Sequence, residues 1–439
     1  MKTPCPLRVA PFRADITPAI GSPLCAGWYP AATAIEDPLS ANGVVLVPEG
    51  QQPIVLCALD WAELSNAEYD LWRDTLAAAA GTVRQRVAVH CTHCHDAPWP
   101  DRGAQGILDA AGRPGVIMDE SSADRALKAV ADAVREALPS AETVTEIRAG
   151  RARVREVASN RRVMGPDGKV KGVRWTRCRD AALRAEPEGQ IDPFLKTVSF
   201  HHGDRTLAVL HYYAVHPTSH DATGRVTCEF VGLARDRMAA RDGVRHIYFT
   251  ECAGDVTNGK YNDGEGDYRE AFTGRIHKAM DEAVRSAAPA DVPFVEWRTE
   301  PVILPPREDQ KAEELEAFIA DPGNHVKRRS RAALILAYRR RCEEKRPIEM
   351  TALHLGPGLV IMHTPGESFM EYQQYAQQLR PDAQVMVPSY GDCGPGYITL
   401  ARSFEEGGYE PTDSFCSGES EEIMRNAIRR LVAPEPSGA

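Results

Sequence analysis

Apolar positions along the chain follow two periods. Tyr69, Trp72 and Leu76 recur three and four residues apart, the spacing of one helical face. Ser65 with Glu68 three residues on is a capping-box pattern, which predicts a helix start, and Gly81 predicts its stop. Leu127, Val130, Val134 and Leu138 predict a second helix, ending before Pro139; Phe272, Ile276, Met280 and Val284 predict a third. Strand-like runs cover residues 86–90, 197–202, 206–214, 246–249, 350–355, 359–363 and 384–387. Strands mixed with helices predict a layered α/β (mixed α+β) domain. Residues 308–345 are densely charged, with Leu315, Phe318, Ala332, Leu334 and Leu336 interspersed and Pro322-Gly323 as a break. This predicts a helical hairpin or insertion around 307–347, with a solvated helical face as the alternative. No repeat period or long Pro/Ser/Gly linker interrupts the chain, so one contiguous domain is expected over 1–432, followed by a disordered tail at 433–439.

Composition narrows the class. The chain has 439 residues, 43% hydrophobic and 26% charged, which excludes a disordered, collagen-like or simple coiled-coil protein. Its 52 basic and 62 acidic side chains leave a net charge of −10, which argues against nucleic acid or an anionic membrane as partner. Residues 1–18 lack the apolar core of a signal peptide, and no run reaches the roughly 18 apolar residues of a membrane span. A cytoplasmic protein is therefore expected. In a reducing compartment its eleven cysteines are expected to be free rather than a disulfide framework.

Candidate chemistry collects in a few segments. In residues 87–98, VAVHCTHCHDAP, a buried-looking strand leads into His93 and His95, which share a side in an extended chain and form a plausible half of a metal site. Ordinary polar loop residues are the alternative. Cys91-Thr92-His93-Cys94-His95 also reads as the C-x-x-C-H pattern of haem attachment, or as a redox pair. His216 follows a strand-like run and precedes Pro217; a core histidine is its alternative, and His220 is a further candidate. Asp255 and Thr257 lie in a glycine-rich polar loop after a strand. Glu367 follows Pro365-Gly366 and is either an oxygen ligand or a cap for the helix that Phe369, Tyr372 and Leu379 predict. Tyr397 and Tyr409 fall in a glycine-rich aromatic stretch and could simply pack it. There is no G-x-S-x-G elbow and no phosphate-cradling loop.

Taken in order, these segments resemble the neutral/alkaline, non-lysosomal ceramidase family. Asp15-Ile16-Thr17-Pro18 resembles its early D-I-T-P, and Thr92-His93-Cys94-His95-Asp96-Ala97-Pro98 its T-H-T-H-S-G-P. Asn160-Arg161 and Asp192-Pro193 resemble its N-R and D-P. Ala214 through Ser219 match A-V-H-P-T-S, Gly254-Asp255-Val256-Thr257-Asn258 resembles G-D-V-S-P-N, and Pro365-Gly366-Glu367 matches P-G-E. Tyr397-Ile398-Thr399 through Tyr409-Glu410 resemble the last motif. The His-Asp-Ala-Pro and Lys-Tyr-Asn-Asp-Gly stretches are more similar to a bacterial ceramidase-like branch than to the ceramidases themselves.

The resemblance implies a ceramidase-like catalytic domain of layered sheets with flanking helices. It implies zinc bound by His93, His216, Glu367 and Tyr397, with His95 beside the metal, Arg161 contacting a polar group or oxyanion of the substrate, and zinc-assisted amide hydrolysis. Three departures matter. The family's proposed serine nucleophile is Thr257, whose methyl crowds its hydroxyl, so a zinc-bound hydroxide is expected to attack. Asp96 replaces the family's serine and is a candidate orienting group or base. A catalytic domain without the family's C-terminal β-sandwich-like domain is expected. The expected function is hydrolysis of an amide, ester or lactone in a small polar substrate. A true ceramidase is one alternative; a metal-binding, haem or redox protein using Cys91 and Cys94, or a non-catalytic binding protein, is another. A homo-oligomer is compatible with the sequence.

Overall fold

The computed structural model describes residues 7–391 and 393–434. Of the tail expected at 433–439, residues 435–439 lie outside the described residues.

Three sheets face one another around a shared core. The first has the strand order Val87–Cys91, Ile54–Leu59, Ser40–Pro48, Leu7–Asp15, Glu142–Thr143. The second runs Arg245–Thr250, Arg205–Tyr213, Phe194–His202, Glu146–Arg153, Ala288–Pro289. The third runs Val295–Val302, Ile348–Leu355, Leu359–His363, Gln384–Met386. Side chains alternate across each strand, and one set from every sheet points inward. Leu56 and Ala58, Leu210 and Tyr212, and Leu353 and Ile361 all belong to this central cluster. The opposite faces are covered by helices. Glu229–Asp242 and Tyr268–Arg285 pack on the second sheet through Phe230, Met238, Phe272 and Ile276. Asn66–Ala80, Glu120–Ala137, Val326–Glu343 and Ser420–Val432 build the cluster on the outer side of the first and third sheets.

Each sheet contains one parallel pair. Ile54–Leu59 pairs with Val87–Cys91, Arg205–Tyr213 with Arg245–Thr250, and Leu359–His363 with Gln384–Met386. Parallel strands end on the same side, so the loops that leave them gather together. Here the loops interlock: Thr250 N–H donates to His90 Nε2 at 3.0 Å, Thr250 Oγ1 to Thr92 O at 2.8 Å, and Ser389 N–H to Thr250 O at 2.9 Å.

Local rules explain some element ends and fail at others. Gly81 closes the Asn66–Ala80 helix in the left-handed conformation (φ 65°), as its position predicts. Ser65 occupies the N-cap, but its side chain does not cap. Its hydroxyl donates to Gly394 O and accepts from Trp99 Nε1, while Glu68 accepts from Trp72 Nε1. The capping box is dissolved by tertiary partners. The charged stretch after 308 forms two helices, Ala312–Ala320 and Val326–Glu343, separated at Pro322-Gly323. The second is not a solvated face: residues 332–338 are buried, and Arg341 is an interior partner of Asp70 at 2.6 Å. Among the described residues all cysteines are free, and no helix is long and apolar enough to cross a membrane.

A buried ion pair ties the first sheet to the helices of the second. Arg235 Nη1 and Nη2 donate to the two oxygens of Asp60 at 2.7 and 3.0 Å, and Ser40 N–H and Oγ also donate to Asp60. Removing the carboxylate leaves a guanidinium inside the protein with its main partner gone. Asp60→Ala should therefore lower unfolding free energy by about 3–5 kcal/mol. Urea denaturation followed by tryptophan fluorescence measures it; a loss under about 1 kcal/mol, the scale of an exposed pair, contradicts the assignment.

Candidate metal centre

The gathered loops carry most of the candidate ligands. His93 follows Val87–Cys91, His216 follows Arg205–Tyr213, Glu367 follows Leu359–His363, and Tyr397 follows Gln384–Met386. Glu367 and Tyr397 are register partners in the short parallel pair Glu367–Ser368 with Tyr397–Ile398. His93 and His95 do not meet through extended geometry. His93 is left-handed (φ 69°), and this bend turns the two rings edge to face with centroids 4.7 Å apart.

His93, His95 and His216 form one group, with a ring nitrogen of each within 4.8 Å of the others. Their hydrogen bonds fix which nitrogens face inward. His93 Nδ1 lies 2.8 Å from Ala62 O, and His216 Nδ1 lies 2.7 Å from Ala253 O. A carbonyl only accepts, so each Nδ1 carries the proton and each Nε2 presents a lone pair. His216 Nε2 is 3.0 Å from Glu367 Oε2, and His93 Nε2 is 3.5 Å from the same oxygen. His95 Nε2 is 3.1 Å from His93 Nε2. Acceptors thus face acceptors without a proton to share. A cation between them resolves this repulsion, and neutral imidazoles with one carboxylate suit it chemically.

The protonation states agree. Burial lowers His216 to about 4 and, with the His93 ring beside it, pushes His95 well below its ordinary value. Tyr390 stacks on His93 at 4.1 Å between centroids and closes the group from behind.

These residues lie on one wall of a cavity of about 470 Å³. Tyr397 and Arg161 also line it, and the Arg161 guanidinium lies 4.9 Å from the Tyr397 ring and 5.5 Å from that of Tyr409. Arg161 is buried, donating from Nε to Glu410 at 2.7 Å and from Nη2 to Gly254 O at 2.6 Å. Trp28, Trp99, Trp175 and Phe415 supply aromatic walls.

The other candidates stand outside the lining. Asp96 accepts from Thr223 N–H and Oγ1 and from Gly224 N–H, pinning the loop after Asp221. Thr257 Oγ1 donates to Arg174 O at 3.0 Å and is buried away from the wall. Asp255 accepts from Asn160 Nδ2 at 2.6 Å and from Met370 N–H at 2.9 Å. Asp255, not Glu367, therefore caps the helix Met370–Leu379; burial, with Glu371 nearby, raises its pKa to about 7. His220 faces Glu36 and Glu229. Cys91 and Cys94 are buried in the hydrophobic cluster and do not line the cavity. Tyr29 and Asp221 carry no motif of their own in the sequence; a Trp-Tyr pair between Gly27 and Pro30 is the available hint for the first, whereas Glu410 falls in the Tyr409-Glu410 motif.

The site should carry about one divalent metal ion per chain after purification. Glu367→Gln removes the carboxylate charge and should weaken metal affinity beyond the roughly 10- to 100-fold that loss of an outer hydrogen bond costs. Elemental analysis and competition with a chromophoric chelator measure both; undiminished affinity in the variant excludes Glu367 as a ligand.

No family model matches the sequence, and no curated protein matches it. Solved structures do. A structure described as ceramidase complexed with C2 superposes with a TM-score of 0.72 at 14% identity, covering 99% of this chain and 77% of that one. The neutral ceramidase from Pseudomonas aeruginosa gives 0.71 at 14% identity, covering 100% of this chain and 76% of that one. The chain has the neutral ceramidase fold.

Proposed function

We propose that the protein is a zinc-dependent hydrolase that cleaves an amide bond, or a related ester or lactone, in a compact substrate. The observation that carries this is the inward convergence of the His93 and His216 lone pairs with Glu367 on the wall of an aromatic cavity. His93, His216 and Glu367 would hold the ion, with Tyr397 as the fourth group. Bound zinc would polarise the scissile carbonyl and lower the pKa of water in the site. His95 presents a lone pair from Nε2 and accepts a proton from the attacking water. Arg161 supplies fixed positive charge toward the oxygen on which negative charge develops. Water is the nucleophile in this scheme, because the Thr257 hydroxyl is committed to Arg174 O.

The cavity volume bounds the substrate. At about 470 Å³ it suits one small molecule and not two long chains. The Arg177–Asp221 pair at 2.8 Å and a half-exposed Trp175 give the wall both charge and apolar surface. A small substrate with a polar end is the best fit.

A panel of N-acyl amides and activated esters tests the reading. Turnover should stop with a chelator and return with zinc, and short acyl amides should exceed long-chain ceramide in kcat/KM by at least about tenfold, or 1.4 kcal/mol. Ceramide as the preferred substrate contradicts the size argument; turnover indifferent to chelation contradicts the metal. Separately, Thr257→Ala should keep kcat within about threefold while costing about 1 kcal/mol of stability for the lost hydrogen bond. A fall of several orders of magnitude in kcat would make Thr257 the nucleophile.

A further inference from the structure

His95 is oriented differently from the other two histidines. The Nδ1 protons of His93 and His216 go to main-chain carbonyls that the fold itself fixes. His95 Nδ1 instead meets a side chain, the Tyr29 hydroxyl, at 3.0 Å. That hydroxyl also reaches Asp221 Oδ2 at 3.1 Å. A carboxylate only accepts, so the single phenolic proton belongs to Asp221. The Tyr29 oxygen then offers His95 only a lone pair. The His95 proton must sit on Nδ1, and its Nε2 lone pair faces His93 Nε2 and the cavity.

The chain of contacts continues to the surface. Asp221 Oδ1 accepts from Arg177 Nη2 at 2.8 Å. Asp96 holds the next residues, Thr223 and Gly224, through their N–H groups. The Tyr29 ring packs edge to face on His95 at 5.9 Å, which restrains rotation of the imidazole. Tyr29, His95, Asp221 and Arg177 all line the cavity, yet they come from separate loops.

We propose that Tyr29 and Asp221 are positioning residues that lock His95 in one tautomer and one ring orientation, with Arg177 and Asp96 fixing Asp221 in turn. The consequence for turnover rests on the hydrolase reading above; the hydrogen-bond assignment does not. Without the phenolic oxygen, nothing dictates which His95 nitrogen holds the proton. A proton on Nε2 would point a donor at the cation site and remove the inward acceptor. Without Asp221, the Tyr29 proton is free to turn toward His95 Nδ1, which favours the same wrong tautomer.

Histidine-selective nitrogen-15 NMR of the purified, metal-loaded protein tests this, with His95→Gln used for assignment. The wild type should show an exchange-protected Nδ1–H for each of His93, His95 and His216. Tyr29→Phe and Asp221→Ala should each remove or shift the His95 signal alone; the unchanged His93 and His216 signals report that the variant is folded and loaded. If the hydrolase reading also holds, both variants should lose about tenfold in kcat with KM within about twofold, and the double variant should fall no further than the worse single, because the two act as one unit. A wild-type His95 protonated at Nε2, or a His95 signal untouched by either variant, overturns the proposal. If the NMR result holds while no substrate is turned over, the hydrolase reading fails and the positioning stands.

Discussion

Acceptor atoms crowd together at the centre of this molecule with no proton between them. His93 Nε2 and His216 Nε2 lie 3.5 and 3.0 Å from Glu367 Oε2, and each ring has its proton tied up on the far side. Glu367 is buried, so water screens it only weakly. Burying a carboxylate among lone pairs is costly unless positive charge answers it. Two remote carbonyls enforce the arrangement. Ala62 O belongs to the turn after the first sheet's Ile54–Leu59 strand, and Ala253 O to the turn after Arg245–Thr250. The site is therefore built from main-chain geometry outward, and its ligand atoms have little freedom to relax.

That main-chain geometry comes from the three parallel pairs. Each sheet is mostly antiparallel and could have closed with hairpins alone. A single parallel neighbour in each forces a crossover and puts two strand exits on one side. With the sheets packed on a common core, those exits face one another, and the loops pass almost without clearance. A Cβ on Gly254 would sit 2.2 Å from Glu367 O, and one on Gly391 would sit 2.4 Å from Val89 O. Glycine is required at both positions because two backbones meet there. Core packing, topology and site position are thus one constraint read at three scales.

The legible parts of the sequence were those whose partners are near in the chain. The helix bounded by Ser65 and Gly81 is marked by local spacing, and so is the proximity of His93 to His95. The Ser40–Pro48 strand is not marked, because burial on both faces leaves it without alternation. Ser65 looks like a cap by local rules, but Trp99 and Gly394 occupy its hydroxyl from more than thirty positions away. Tyr29 and Asp221 meet across a separation of 192 residues, which no spacing rule reaches. The ordered motifs resembling ceramidases marked the segments that converge, but could not say which side chain in each turns to the cavity. Glu367 turns inward because its strand pairs with that of Tyr397, and Thr257 turns away because Arg174 O claims its hydroxyl.

The cationic wall is tied to the anionic floor by the same contacts. Arg161 Nη2 donates to Gly254 O, and the Arg161 N–H donates to Asp255 O at 2.8 Å. Gly254 N–H in turn donates to Ser368 O at 3.0 Å, the residue after Glu367. Asp255 reaches the other way and caps Met370, three residues beyond Glu367. Glu410 shares its oxygens between Arg161 and Arg162 at 2.7 Å each, fixing the guanidinium between the Tyr397 and Tyr409 rings. A displacement of Glu367 would therefore carry Gly254 and Arg161 with it. The distance between the Glu367 carboxylate and the Arg161 guanidinium is set by main-chain hydrogen bonds on either side of Gly254. Under the hydrolase proposal, opposite charges held at fixed separation on the cavity wall are what polarising a carbonyl requires. Under that proposal the Gly254-Asp255 turn sets this separation, although neither residue lines the cavity.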